Sequence, residues 1–435
     1  MKSIFENIFF KMGIIFVLIL LLLIPALMVQ DLIHERSLRQ TEVEAEVSTS
    51  HAGNQHLTGP ILSVPYKVMH NGIEDFEYLH ILPEQLEVNG QVKPEKRNRG
   101  LFDVVVYSSE LQTKGVFSFE ELEEQGYDPL KLHWEDAFVT IGISDLEGIR
   151  EPVQLKLGAD VLEMKPGVRT NEVVNSGLHV RHALDSTLAP VPFEFSISLN
   201  GSGDLNFTPV GKTTEVHLRS AWKDPSFSGA FLPVKREVNE KGFSADWKVL
   251  NLNRNYPQAW LGEEHGVQSS NFGVDLRISV DRYQKSTRVA KYAVMFIVFT
   301  FLVFFFVEVL NKVLIHPIQY ILVGLALVLF YLLLLSFSEQ MSFDLAYVLA
   351  ASMTMGMVLI YSRSILKSWP LAMMTGAILS TLYGFIFILI QMQDYALLFG
   401  SLGTFIVLAI TMYFSRKVDW FELKKGQDAK GEETA

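Results

Sequence analysis

The chain has 435 residues and no cysteine. Disulfide staples, Cys-ligated zinc, iron–sulfur clusters and thiol catalysis are excluded together. Positive charge is also scarce. There are 37 Lys+Arg against 48 Asp+Glu, a net charge of −11, so the basic surplus of a nucleic-acid binder is missing. Catalytic signatures are absent as well: no GxSxG, no GxGxxG and no HExxH occurs. Gly211-Lys212-Thr213 matches the end of a phosphate loop, but Asn206 stands where the first glycine belongs and Pro209 interrupts the loop. Ten of the 11 histidines lie between residues 31 and 288. The closest pair, His179 and His182, is three residues apart, which on a strand puts them on opposite faces. Asp224, Asp246, Glu263 and Glu264 are available as acids, yet no spacing fixes two of them at one site. No catalytic residue, cofactor or metal site is expected.

What the chain does have is long charge-free runs at its two ends. Residues 12–30 carry no charge between Lys11 and Asp31. That run is long enough to cross a bilayer and longer than a signal-peptide core, and no small-residue cleavage site follows it. An uncleaved signal anchor is expected, with Pro25 tolerated in its outer third. Residues 292–307, 313–338, 345–362, 368–393 and 395–415 are charge-free in turn. The reading is six spans, one before and five after a polar segment.

Orientation follows from the short loops. With the N-terminus inside, the cytoplasmic pieces hold ten basic residues: Lys2, Lys11, Lys312, Arg363, Lys367, Arg416, Lys417, Lys424, Lys425 and Lys430. The short outer loops hold none, only Glu339, Asp344 and Asp394. This asymmetry places both termini in the cytoplasm and residues 31–288 outside it. Tyr292, Tyr320, Tyr347, Trp369, Tyr395, Tyr413 and Trp420 sit where interfacial aromatics belong. The division is residues 1–30 as N-terminus and anchor, 31–288 as outer domain, 289–416 as a five-span membrane domain and 417–435 as a charged cytoplasmic tail.

The outer segment carries 26 Lys+Arg and 38 Asp+Glu, a net −12 that accounts for the acidity of the whole chain. Its pattern is strand-like. Val139, Ile141 and Ile143 alternate with Thr140 and Gly142. Phe193, Phe195, Ile197 and Leu199 alternate with polar residues, and Asn200-Gly201-Ser202-Gly203 turns the chain toward Leu205 and Phe207. Val216 and Leu218 begin the next strand, which suggests a three-strand meander. Phe243–Val249 and Val274–Val280 repeat the alternation. Helices are expected only over residues 31–50 and over Ser118–Gln125, closed by Gly126. The fold class is therefore an α-helical integral membrane protein with a large β-rich, antiparallel, sandwich-like domain between spans 1 and 2.

Three groups of residues stand out. Glu308 precedes Lys312 by four positions, the spacing of a helical ion pair at the cytoplasmic interface. Ala372, Gly376, Ser380 and Gly384 recur every four residues and suggest a helix-packing face; Ala346, Ala350 and Thr354 suggest another. Phe227, Phe231, Tyr256 and Trp260 lie among Gly and Pro and are candidate anchors for a binding partner.

Several stretches together resemble one family. They are Thr58–Tyr66 (TGPILSVPY), Leu79–Pro83 (LHILP), Arg99–Phe102 (RGLF), Val106-Tyr107 and Trp134–Ala137 (WEDA). Gly142–Ile149 (GISDLEGI), Pro225–Pro233 (PSFSGAFLP), Leu252–Gln258 (LNRNYPQ), Trp260 and His316–Tyr320 (HPIQY) complete the set. The combination resembles the CreD family of bacterial inner-membrane proteins over nearly the whole chain; Glu147 stands where a basic residue is expected. The resemblance implies a Gram-negative inner-membrane protein with a periplasmic domain. It also implies a link to envelope integrity, to the Cre two-component system and to tolerance of colicins and β-lactams. It brings no catalytic residue. Expected partners are the lipid bilayer and a periplasmic or membrane protein, with peptidoglycan as another candidate. The expected role is a non-enzymatic envelope protein whose outer domain is a binding module. The rival readings are a transporter or permeability regulator, which needs Ser352, Thr354, Ser380, Thr381, Tyr383 and Thr404 to face one cavity, and a periplasmic cell-wall hydrolase, for which no residue is preferred.

Overall fold

The structure, a computed structural model, describes residues 8–70, 73–120, 122–185, 189–276, 282–311, 313–392 and 395–416. The chain divides into two compact units: Met1–Gln40 with Val280–Ala435, and Thr41–Ser279. The β unit is therefore shorter at both ends than the outer segment inferred from charge.

The strands are β1 (Gln55–His70), β2 (Ile73–Ile81), β3 (Gln85–Arg99), β4 (Phe102–Phe117), β5 (Phe138–Ile143), β6 (Gln154–Leu157), β7 (Asp160–Glu163), β8 (Lys165–Pro166) and β9 (Gly177–Arg181). They continue with β10 (Val191–Ser202), β11 (Asp204–Thr208), β12 (Thr213–Ser220), β13 (Ser226–Gly229), β14 (Lys235–Asn239), β15 (Gly242–Leu250), β16 (Ala259–Leu261) and β17 (Phe272–Asp275). One sheet runs β13-β17-β11-β1-β5-β9-β8, with β2 on β1 and β16 on β2. The other runs β14-β15-β12-β3-β4-β10-β6-β7. Their inward residues form one core that includes Val64, Phe117, Leu155, Trp247 and Phe272. Period-two burial builds it: on β10, Phe193, Phe195, Ile197 and Leu199 are buried while Glu194 and Ser196 are exposed.

Three expectations need correction. The sheets are mixed, because β1 pairs with β11 and β3 with β12 in parallel. The meander does not form. β10 pairs with β4 and β6, β11 lies in the other sheet, and β12 returns to the first. Gly203, at φ +69°, turns the chain from one sheet into the other. Both sheets bury every second residue toward the same core, so alternation alone does not tell a hairpin from a crossing. The Ser118–Gln125 segment makes turns rather than a helix, closed by Gly126 at φ +89°. Phe119 and Leu122 both enter the core, and that is too little apolar surface to hold a helical face. Ile278 and Val280 lie outside the described residues.

The helices are α1 (Ile8–His51), α2 (Arg282–Lys291), α3 (Ala293–Asn311), α4 (Pro317–Ser338), α5 (Phe343–Leu366), α6 (Trp369–Gln391) and α7 (Ala396–Ser415). Among the described residues, five (α1, α3, α4, α5 and α6) are long and apolar enough to cross a membrane; α7 carries a shorter apolar stretch, Leu398–Tyr413. The last part of α1 belongs to the β unit, where Val43 and Val47 pack on Val104 and Val106.

Only part of the expected small-residue face is an interface. Ala372 is buried and Gly376 half-buried, but Ser380 and Gly384 are exposed. A four-residue step overshoots a helical turn by about 40°, so the stripe winds off the contact. The buried side of α6 alternates threes and fours instead, through Ala372, Thr375, Leu379, Leu382, Tyr383, Ile386, Leu389 and Ile390. The face on α5 holds, since Ala346, Ala350 and Thr354 are all buried. A closer approach occurs at Gly324 of α4, where a Cβ would lie 2.1 Å from Leu22 Cδ1 and 3.1 Å from Phe301 Cζ. Gly324→Leu should therefore destabilise the purified protein in detergent by about 1–3 kcal/mol, the cost of overpacking. Gly384→Leu, with no neighbour within 4 Å, should stay within about 0.5 kcal/mol. Thermal unfolding of the two variants side by side checks the contrast.

Candidate functional site

The four aromatic residues taken as binding anchors do not make an exposed patch. Trp260 and Tyr256 are buried, and Phe227 and Phe231 pack half-buried on the same core. The Tyr256 hydroxyl meets Ser270 Oγ at 2.8 Å and donates to the Pro209 carbonyl at 3.2 Å. Trp260 lies against the rings of His80, Tyr256 and His265. Phe227 abuts Phe243 and Trp247, and Phe231 abuts Phe272. The surrounding Gly and Pro are turn residues between short strands, and the aromatics fill the space beneath those turns.

Beside Trp260 lies a set invisible in the sequence. Ser63 of β1 pairs across the hairpin with His80 of β2 and donates its hydroxyl to Nδ1 at 2.9 Å; Nε2 faces Glu172 Oε2 at 2.8 Å. Burial pulls the His80 imidazole below its ordinary range, and the Glu172 carboxylate opposes that shift. The neutral ring then carries its proton on Nε2, toward Glu172. The residue types are those of a hydrolase triad, but Ser63 is only 2% exposed, so a substrate has no access to its hydroxyl. The set joins β1, β2 and the 170–172 loop. Among the described residues no group of three or more His, Asp or Glu is placed to hold a metal.

The outward face of the eight-stranded sheet is a better surface for a ligand. Register aligns Gln112, Asn89, His217 and Asp246 in one row across four strands, with Glu110, Gln91 and Arg219 in the next. Together with Glu87 they line a shallow cleft of about 670 Å³. His217 Nδ1 meets Asp246 Oδ1 at 2.8 Å, and Lys93 holds Glu110 at 2.6 Å. Gln91, Gln112 and Arg219 are exposed, and among the described residues their side chains make no hydrogen bond or ion pair.

In the helical unit the charged centre is Glu308, near the end of α3. It is 6% exposed and takes three donors: Lys11 Nζ, the Ile315 amide at 3.0 Å and the Tyr320 hydroxyl at 2.9 Å. Lys11 is itself buried. The partner expected from spacing, Lys312, lies outside the described residues. Lys11 is 297 residues from Glu308, so no local pattern exposes the pair. Tyr320 and Tyr347 lie in the opening turns of α4 and α5 and are buried among helices. The polar residues that a transport cavity requires do not face one space. Ser352, Ser380, Thr381 and Thr404 are exposed, whereas Thr354 and Tyr383 are buried.

A β unit followed by apolar helices, with a buried charge near one helix end, matches a protein family along its length. The family model described as "CreD: Inner membrane protein CreD" matches residues 7–421. The chain belongs to the CreD family. It is 34% identical to the Inner membrane protein CreD of Escherichia coli (strain K12) over 424 residues, covering 95% of this chain and 94% of that one. Membership makes this CreD-family chain an inner-membrane protein with several membrane helices and a large β-rich unit. Against solved structures, a crystal structure from Parabacteroides distasonis ATCC 8503 aligns at 8% identity over 47% of this chain and 42% of its own. Its TM-score of 0.23 is too low to indicate a shared fold.

Proposed function

We propose that this CreD-family protein is a non-enzymatic, six-span inner-membrane protein that supports cell-envelope integrity. Its β unit lies in the periplasm and binds an envelope partner through the outward face of the eight-stranded sheet. Both termini are cytoplasmic, with α1 and α3–α7 as the spans. The observation that carries the reading is the cleft over Gln91, Gln112 and Arg219. Two amides and a guanidinium, free of internal partners and fixed on rigid strands, suit a polar polymer such as a peptide or the glycan and stem peptides of peptidoglycan. Tolerance of colicins and β-lactams is the cellular outcome the family resemblance suggests. A photo-crosslinking residue at Gln91 or Gln112 should capture one specific envelope component in living cells. The same probe at Leu130, which is 94% exposed and outside the cleft, should capture none. Equal, non-specific capture at all three sites would contradict the binding face.

A further inference from the structure

Among the described residues, the interior of the helical unit holds five hydroxyls without a hydrogen-bond partner. They are Thr300 on α3, Tyr331 on α4, Thr354 and Ser362 on α5, and Tyr383 on α6. None is more than 3% exposed. The threonines are unusual within this protein. Thr375, Thr381, Thr404 and Thr411 each donate to the carbonyl four residues earlier, the ordinary way to satisfy a hydroxyl in a helix. Thr300 and Thr354 make no such bond.

Two of the five, Tyr331 and Tyr383, belong to one aromatic cluster shared by α3, α4, α5 and α6. The Phe330 ring touches Tyr331 at 5.0 Å, Tyr347 at 5.5 Å and Tyr383 at 4.8 Å. Phe296, one turn before Thr300, touches Tyr383 at 4.7 Å. The Tyr347 hydroxyl donates to the Tyr383 carbonyl at 2.8 Å. Side chains lean toward a helix's N-terminus, so Tyr331 and Tyr383 aim along α4 and α6 toward the level that α5 reaches at Thr354. Ser362 continues two turns further along α5. Glu308, held by Lys11 and Tyr320, stands about 12 Å along α3 from Thr300. In the other direction Glu339 ends α4 about 12 Å beyond Tyr331, where it accepts from the Tyr283 hydroxyl at 3.1 Å.

An unpaired hydroxyl in an apolar bundle is costly, and five within one bundle argue for an occupant that pairs them. We propose that these hydroxyls hold internal water and form the middle of a proton relay between Glu308 and Glu339. Neutral hydroxyls fit water better than an ion, since none of the five supplies a counter-charge. In the relay each hydroxyl or water accepts a proton on a lone pair and releases its own. At one end the Glu308 carboxylate takes a proton when it parts from Lys11 and passes it to the relay; at the other the Glu339 carboxylate receives a proton from the relay and releases it to the outer side. One proton crosses and nothing is oxidised or consumed. The inference does not rest on what the β unit binds.

The test uses the full chain in liposomes containing a pH-sensitive dye, with valinomycin and potassium clamping the potential. After an external pH step the lumenal pH should relax at least tenfold faster than in protein-free vesicles. Tyr331→Phe with Thr354→Val, two nearly isosteric changes, should return the rate to within about twofold of the protein-free rate. A wild-type rate equal to that of empty vesicles, with insertion verified, would overturn the relay, and so would an undiminished rate in the double variant. Thermal unfolding in detergent tests the water itself. Removing hydroxyls that hold water should leave the melting temperature unchanged or lower it, and a rise would show that they were dry. If the double variant fails to insert, Tyr331→Phe alone is read in the same way.

Discussion

Glu308→Ala should be the most damaging single change in the helical unit, at about 3–5 kcal/mol. The alanine removes a carboxylate that satisfies Lys11, the Ile315 amide and the Tyr320 hydroxyl at once. Lys11 would then remain as a buried charge with its described partner gone, a costly state in a membrane-embedded bundle. Lys11→Met alone should be comparably harmful, because it strands the carboxylate. Lys11→Met together with Glu308→Gln should recover much of the loss, since no unpaired charge is left and Gln still bonds Ile315 and Tyr320. Thermal unfolding in a single detergent measures all three. A loss below about 1 kcal/mol for Glu308→Ala would mean that the pair is hydrated and behaves like a surface bridge.

The second large effect belongs to the β unit. Trp260→Ala should cost about 3–5 kcal/mol, the usual range for removing a buried aromatic. The indole is 1% exposed and packs against His80, Tyr256 and His265. Leu252→Ala, eight positions earlier and 86% exposed, should change stability by no more than about 0.5 kcal/mol. Denaturant unfolding of the full chain, followed through its β circular-dichroism signal, separates the two. A Trp260→Ala protein of normal stability that failed to capture a partner would restore Trp260 as a binding anchor.

The sequence carries the membrane helices and the strands openly, because charge-free runs and period-two burial are local patterns. Phe193–Leu199 is legible as a strand from seven residues alone. Its neighbours are not. β10 pairs with β4, and the next strand crosses to the facing sheet. Pairing is decided by contacts far apart in sequence, and both sheets impose the same alternation. The same limit hides the sites. Lys11 meets Glu308 across almost three hundred residues, and Glu172 meets His80 across 92. The small-residue stripe on α6 fails for a geometric reason, since a repeat of four drifts around a helix of 3.6 residues per turn. Gly324 is the opposite case. A lone glycine shows no repeat, yet its missing side chain admits Leu22. The polar row on the eight-stranded sheet becomes visible only once register aligns Gln112, Asn89 and His217.

The absence of cysteine makes the topology directly measurable, because any single introduced thiol is the only one present. Arg150→Cys, Lys367→Cys, Asp394→Cys and Ala435→Cys are labelled in intact spheroplasts with a membrane-impermeant maleimide. Six spans with the β unit in the periplasm predict labelling at positions 150 and 394. Positions 367 and 435 should react only after the membrane is opened. Labelling of Ala435→Cys in intact cells would contradict the six-span arrangement, and protection of Arg150→Cys would place the β unit on the wrong side of the membrane.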